Sequence, residues 1–215
     1  PLDGRRLGIG MVFQNFTLIP AMTVAENVAL FLPELEIVLQ PKAIQSRIRE
    51  VAARYGLEIN PTAHVFDLSM GERQKVEILK ILLAGARVLI FDEPTSVLAP
   101  HEVDGLFAIF DKLRQDGYAI LFITHKLPEV MASAQRITVL RRGRVVGQLT
   151  RDEATPQAIV RLMLGAEPPP PVHREGLADE TGAPLFALNK VDLVDEHTGI
   201  GLKQVSLQLF AGEIV

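Results

Sequence analysis

The residues best placed to do chemistry lie in Val88-Leu89-Ile90-Phe91-Asp92-Glu93-Pro94, four apolar residues running into two adjacent carboxylates. A run of that length reads as a strand buried on both faces of a parallel sheet. Its carboxyl end is the edge where open α/β sheets bind ligands. Successive strand residues point to opposite faces, so Asp92 and Glu93 can serve different tasks. One can hold a hydrated magnesium ion while the other faces a water that attacks phosphorus. Alone, the pair also reads as solvated charges opening a loop. Phe122-Ile123-Thr124-His125 repeats the arrangement and puts a histidine on the same edge, within reach of a terminal phosphate. A histidine in a turn is also an ordinary structural residue. Gln14 follows a third apolar run, Leu7 to Phe13. Ser69-Met70-Gly71-Glu72 has the capping-box spacing, with Ser69 as N-cap and Glu72 three residues on. A helix start beside a glycine is also a phosphate site.

The elements that must carry these residues alternate. Strands are expected at Leu7 to Phe13, Val88 to Phe91 and Ala119 to Thr124. Helical spacing marks Val24 to Leu32, Pro41 to Tyr55, Asp67 to Leu83, Pro100 to Gln115 and Leu127 to Ala134. In the Pro100 helix, Val103, Leu106, Phe107, Phe110 and Leu113 share one side. A hairpin is expected from Ile137 to Leu149 around Arg141 to Arg144. Alternating strands and helices make an α/β layered domain. After Leu164 the texture changes to a four-proline run, Pro168 to Pro171, and a polar stretch, Val172 to Gly182, which together read as a linker. Leu185 to Val194 and Gln204 to Phe210 then alternate like an antiparallel pair. Some thirty residues with two or three strands are too few to close a core.

Composition sets the outer bounds. The chain has 215 residues, 48% of them hydrophobic and 22% charged, which suits a globular protein with a core. A formal charge of -4 argues against a nucleic-acid partner, whose footprint is a basic face. With no cysteine, disulfides and thiolate metal sites are excluded. No apolar run reaches the roughly 20 residues of a membrane-spanning helix. The longest, Ile78 to Ala86, is broken by Lys80 and Gly85. The chain opens on Pro1 rather than Met, with no signal-peptide pattern, and both ends read as cut.

In combination, Gln14, Leu68-Ser69-Met70-Gly71-Glu72, Asp92-Glu93 and His125 stand in an order and spacing that resemble the ATP-binding subunits of ABC transporters. The segment LSMGERQKVEILKILLAGARVLIFDEPTSVLAP is similar to that family's signature helix and Walker B strand, and the likeness runs from Leu7 to about Gly165. It implies an α/β, P-loop NTPase-like (RecA-like) core with a mainly parallel sheet, plus a helical subdomain at about residues 20–85. It further implies that Gln14 contacts Mg2+ and senses the γ-phosphate of ATP. Ser69, Gly71 and Glu72 would bind ATP held by the opposite domain of a dimer. Asp92 would hold the metal, Glu93 act as general base, and His125 contact the γ-phosphate. Thr95 to Pro100 occupies the D-loop position. Two residues depart from the pattern: Glu72 stands where the family usually has Gln, and Ala99 where it usually has Asp. Both are features of the first half of tandem importers for simple sugars and nucleosides. The Ala99 departure puts equal turnover at the two sites of such a protein in doubt.

The expected organisation is a first ABC domain over 1–165, a linker over 166–183, and the first strands of a second ABC domain over 184–215, where Gly201 to Leu207 and Gly212-Glu213-Ile214-Val215 carry the likeness. No phosphate loop of the form GxxxxGK[ST] occurs in the sequence. The two loops are expected before Pro1 and after Val215, so the 215-residue piece alone should not hydrolyse ATP, and its independent stability is doubtful. The implied partners are transmembrane permease subunits, the second ABC domain and, indirectly, an extracytoplasmic solute-binding protein. The implied location is the cytoplasmic face of the membrane. Two alternatives stand beside this reading: an ABC ATPase of repair or translation, and a regulatory ABC module with a non-hydrolysing site.

Overall fold

Three short apolar runs become strands β1 (Ile9–Val12), β2 (Val88–Asp92) and β3 (Ala119–Ile123) in the computed structural model, which describes residues 2–32, 41–165, 183–194 and 201–211. They form one parallel sheet in the order β1-β2-β3. Ile9 registers with Val88 and Val88 with Ala119, and the rows continue to Val12, Phe91 and Phe122. Parallel neighbours need long crossovers, and the intervening helices supply them. The chain is thus α/β, as expected. Two compact units are present, Pro1–Ala166 and Glu167–Val215.

Among the described residues, only one face of this sheet is covered. Val12, Leu89 and Phe91 are buried on it, and Phe91 stacks on Phe110 with ring centroids 4.5 Å apart. Phe107 meets Phe110 and Phe122 edge-on. On the same face a Cβ at Gly10 would come within 2.8 Å of Ile81 and Ala86, so glycine lets β1 lie flat on its helix. The expectation that β2 and β3 are buried on both sides is not met among the described residues. The opposite face presents Ile9, Val88, Leu121 and Ile123 to solvent, Leu121 at 56% exposure. The apolar runs anticipate a second covering layer, and the described residues supply one layer only.

The helices start where side chains can satisfy their free amides. Helix α1 (Leu2–Arg6), which no sequence signal announced, precedes β1. Helix α2 (Val24–Phe31) opens with a capping box between Thr23 and Glu26. Buried Asn27 clamps the loop ahead of it, accepting from the Ile19 amide at 2.7 Å and donating to the Ile19 and Thr23 carbonyls. Helix α3 (Pro41–Tyr55) buries Ile44, Ile48, Ala52 and Tyr55, an i, i+4 stripe. The run expected to be helical from Asp67 instead begins with a single 3-10 turn, Val65–Asp67, before α4 (Met70–Leu83). Helix α5 (Pro100–Gln115) spans the expected residues, but it buries Ile109 along with Leu106, Phe110 and Leu113, leaving Val103 and Phe107 half-buried. Helix α6 is Leu127–Ser133.

A smaller core sits beyond α6. Strands β4 (Arg136–Arg141) and β5 (Arg144–Thr150) form the expected hairpin, turning through Arg142 and Gly143, both at positive φ. Ile137 and Val139 pack with Ile159 of α7 (Pro156–Leu164). The sequence reading missed α7. Its signals were Thr155 as cap, Pro156 in the first turn and left-handed Gly165 after the last. No described helix is long and apolar enough to cross a membrane.

In the second unit, β6 (Phe186–Val194) and β7 (Gly201–Leu209) pair antiparallel. β7 begins three residues earlier than expected, because the ladder continues past irregularities where Lys190 and Gln204 take positive φ. The Asp192 carboxylate accepts from the Gln204 amide there, replacing a ladder bond. Of the expected linker, all but residue 183 lies outside the described residues, as do 195–200 and 212–215.

Candidate functional site

Parallel pairing brings the carboxyl ends of the three strands to one edge, and each end contributes a polar side chain. Gln14 lies two residues past β1, Glu93 one past β2 and His125 two past β3. Glu93 turns out of the sheet at φ 45°, in the left-handed region, with its amide donating to the Ile123 carbonyl at 2.9 Å. Such a conformation in a non-glycine residue costs on the order of 1–3 kcal/mol and needs surrounding structure to hold it. Its carboxylate is then gripped from both sides. Gln14 Nε2 donates to Oε2 at 3.2 Å, and His125 Nδ1 lies 3.0 Å from Oε1. The structure thus joins Gln14, Glu93 and His125 into one cluster.

Asp92 ends β2, half-buried, in register with Ile123. None of the hydrogen bonds among the described residues engages its carboxylate. No three His, Asp or Glu side chains converge as a ready-made metal cage among the described residues. Magnesium keeps several waters and is held by one or two carboxylates together with substrate phosphates, and Asp92 is a strand-end carboxylate of that kind. Asp92 and Gln14 are the residues here that could contribute.

Ser69, Gly71 and Glu72 are not joined to this cluster. Ser69 Oγ accepts from the Glu72 amide at 3.2 Å, and Glu72 Oε2 accepts from the Ser69 amide at 2.8 Å, completing the expected box. Gly71 is buried against the Glu102 carboxylate, which itself accepts from the Ala99 amide at 2.9 Å. Ala99 has no side-chain acceptor for the first amides of α5, so of the capping-box bonds only the one from the Ala99 amide to Glu102 is made. The start of α4 therefore leans on the start of α5, and none of the hydrogen bonds among the described residues joins Ser69 or Glu72 to the strand-end cluster.

Sequence reading overlooked one buried ionic cluster beside the site. Glu77 Oε1 accepts from the Thr17 amide at 2.6 Å and the Thr17 hydroxyl at 2.9 Å, while Oε2 lies 3.1 Å from Lys80 Nζ. Lys80 also donates to Thr17 Oγ1 at 2.9 Å and sits over the Phe31 ring. Both charged side chains are at most 5% exposed. Burial pushes the Lys80 ammonium below its ordinary range, and the Glu77 charge pulls the other way. The pair ties the loop that follows Gln14 to α4. Its signal was an acid and a base three apart inside the apolar run Val76 to Leu83.

Comparison with known proteins follows the same lines. Residues 2–96 match the family described as ABC transporter. The chain is 39% identical over its whole length to the nucleoside import ATP-binding protein NupA of Lactococcus lactis subsp. cremoris, covering 42% of that protein. It is 40% identical, over 99% of its length, to the ribose import ATP-binding protein RbsA 1 of Rubrobacter xylanophilus, covering 41% of it. It therefore spans about two fifths of the length of the curated relatives it matches. Among solved structures, an ATP-binding cassette of an ABC transporter in its ADP conformation superposes with a TM-score of 0.62 at 22% identity, over 77% of this chain and 71% of that one. That likeness carries the fold, a P-loop NTPase cassette. With its sheet, its strand-end cluster and these relatives in agreement, residues 2–96 carry an ABC transporter domain, and the chain as a whole is similar to ATP-binding import proteins.

Proposed function

We propose that this chain is part of the ATP-hydrolysing subunit of an ABC importer, and that the Gln14–Glu93–His125 cluster is the hydrolytic end of its first nucleotide site. The observation that carries the reading is the two-sided grip on Glu93 at the sheet edge, one residue beyond Asp92. Glu93 takes the proton of the attacking water, the general-base task. His125, mostly exposed, turns its remaining ring nitrogen toward the γ-phosphate. Gln14 reports the state of that phosphate to the loop tied to α4. Asp92 and Gln14 would hold Mg2+, which would neutralise phosphate charge. Ser69, Gly71 and Glu72 meet ATP carried by an opposing cassette. The 215 residues hold no GxxxxGK[ST] loop, so the reading assigns the grip on the β- and γ-phosphates to residues of a longer protein.

The relatives' names, a nucleoside import and a ribose import protein, support a sugar or nucleoside as the cargo. On this reading the subunit sits peripherally on the cytoplasmic face of the membrane. Permease subunits meet the helical region around α2 and α3, and an extracytoplasmic solute-binding protein delivers the cargo. The test is ATP turnover by the full-length protein carrying Glu93→Gln. A fall of roughly 10²–10⁴-fold in the turnover of this site is expected for loss of a general base. Unchanged turnover would sink the assignment.

A further inference from the structure

Behind the strand ends lies a second carboxylate with no part in the cluster, and its two oxygens go to the two loops that carry Glu93 and His125. Glu129, in the first turn of α6, is 8% exposed. Its Oε1 accepts from Thr95 Oγ1 at 2.6 Å, and its Oε2 from Thr124 Oγ1 at 3.1 Å. Thr95 is two residues after Glu93 and 1% exposed; Thr124 immediately precedes His125. Lys126 completes the knot. Its Nζ donates to the Thr95 carbonyl at 2.9 Å and lies 3.5 Å from Glu129 Oε1, while its amide donates to Thr124 Oγ1 at 3.0 Å.

Burying a carboxylate is costly unless its oxygens are satisfied, and here every partner belongs to one of the two loops or to Lys126 between them. The 3.0 Å contact between Glu93 and His125 joins side chains just beyond the point where the β2–β3 ladder ends at Asp92 and Ile123, with one more backbone bond, from the Glu93 amide to the Ile123 carbonyl. Glu93 is also in a left-handed conformation that its surroundings must hold. We infer that Glu129 is a positioning residue: by tying Thr95 to Thr124 it sets the distance between Glu93 and His125, and so governs the chemical step without touching nucleotide. The inference rests on the proposed hydrolytic role of Glu93.

The test uses the full-length protein and steady-state ATP hydrolysis, with Glu93→Gln run alongside to measure how much turnover this site carries. Within that share, Glu129→Ala should lower kcat by roughly 10- to 100-fold, the scale of an ångström of misplacement, with the KM for ATP changed less than about twofold. Glu129→Gln keeps the shape and one acceptor oxygen, and should recover most of the loss. Thr95→Val, which removes one hydroxyl and serves if Glu129→Ala fails to fold, should lower kcat in the same selective way. The double variant Thr95→Val/Glu129→Ala should lose less than the product of the single losses, as coupled residues do. Unchanged kcat in Thr95→Val, or in Glu129→Ala where it folds, a rise in KM that accounts for the loss, or strict multiplicativity overturns the inference while leaving the Glu93 reading intact. If Glu93→Gln itself removes no turnover, the reading falls and the inference with it.

Discussion

Replacing Glu77 by glutamine isolates the charge of the buried pair under the loop that follows Gln14. The amide is nearly isosteric, and its oxygen can still accept from the Thr17 amide and hydroxyl, which now bond at 2.6 and 2.9 Å. What changes is the side facing Lys80 Nζ, 3.1 Å away, where an amide donor replaces an anion. Lys80 keeps Thr17 Oγ1 and the Phe31 ring but becomes a buried cation without a counter-charge. Removing one partner of a buried pair costs about 3–5 kcal/mol, and at 3% exposure solvent cannot screen Lys80. Glu77→Gln should therefore lower unfolding free energy by about 3 kcal/mol near neutral pH.

The pH dependence supplies the sharper check. Burial already lowers the Lys80 pKa in the folded chain, and Glu77 opposes that shift. Without the Glu77 charge the folded-state pKa falls further below its unfolded value. The unfolded chain then holds more protons than the folded one across the interval between the two values, so stability rises with pH there. The deficit of the variant should shrink from neutral pH toward about pH 10, by up to about 1.4 kcal/mol per pH unit inside that interval. Urea unfolding followed by circular dichroism at several pH values measures it. The double variant Glu77→Gln/Lys80→Met removes the stranded cation and should regain most of the loss. A deficit below about 1 kcal/mol at neutral pH, or one that grows on alkalinisation, refutes the reasoning.

Two further outcomes follow from the same geometry. Tyr55 donates to Asp116 at 2.9 Å and Arg54 pairs with it at 2.7 Å, together holding the Asp116 carboxyl below its usual range, so the stability it contributes is lost as pH falls through that lowered pKa. Tyr55→Phe should move the Asp116 pKa up toward an ordinary aspartate, read by carbon-13 NMR titration; an unmoved value would show that Arg54 alone sets it. Gly71→Ala places a methyl against the Glu102 carboxylate, pushing it off the Ala99 amide. The expected loss is about 1 kcal/mol, the usual worth of a helix cap, and an unchanged thermal midpoint would count against that packing.

Much of this protein was legible in order and spacing. The strand ends at Gln14, Asp92-Glu93 and His125, the Ser69–Glu72 box, the α5 span and the β4–β5 hairpin are local patterns, and local rules of period, cap and turn suffice to find them. Helix α7 is local too: its Thr155 cap, first-turn proline, amphipathic face and closing Gly165 all stand in the sequence. Tertiary structure decided what joins what. Which strands pair sets that Gln14 and His125 grip one carboxylate rather than lying apart, and that contact spans 79 and 32 residues of sequence. It also decided that Glu77 and Lys80, an acid and a base inside an apolar run, meet Thr17 from a distant loop. Glu129 likewise gives no sign in sequence of binding two loops at once. The physical reason is the same each time: an apolar pattern states that a face must be buried, whereas the partner of a polar group depends on which distant segment the packed core brings within about 3 Å.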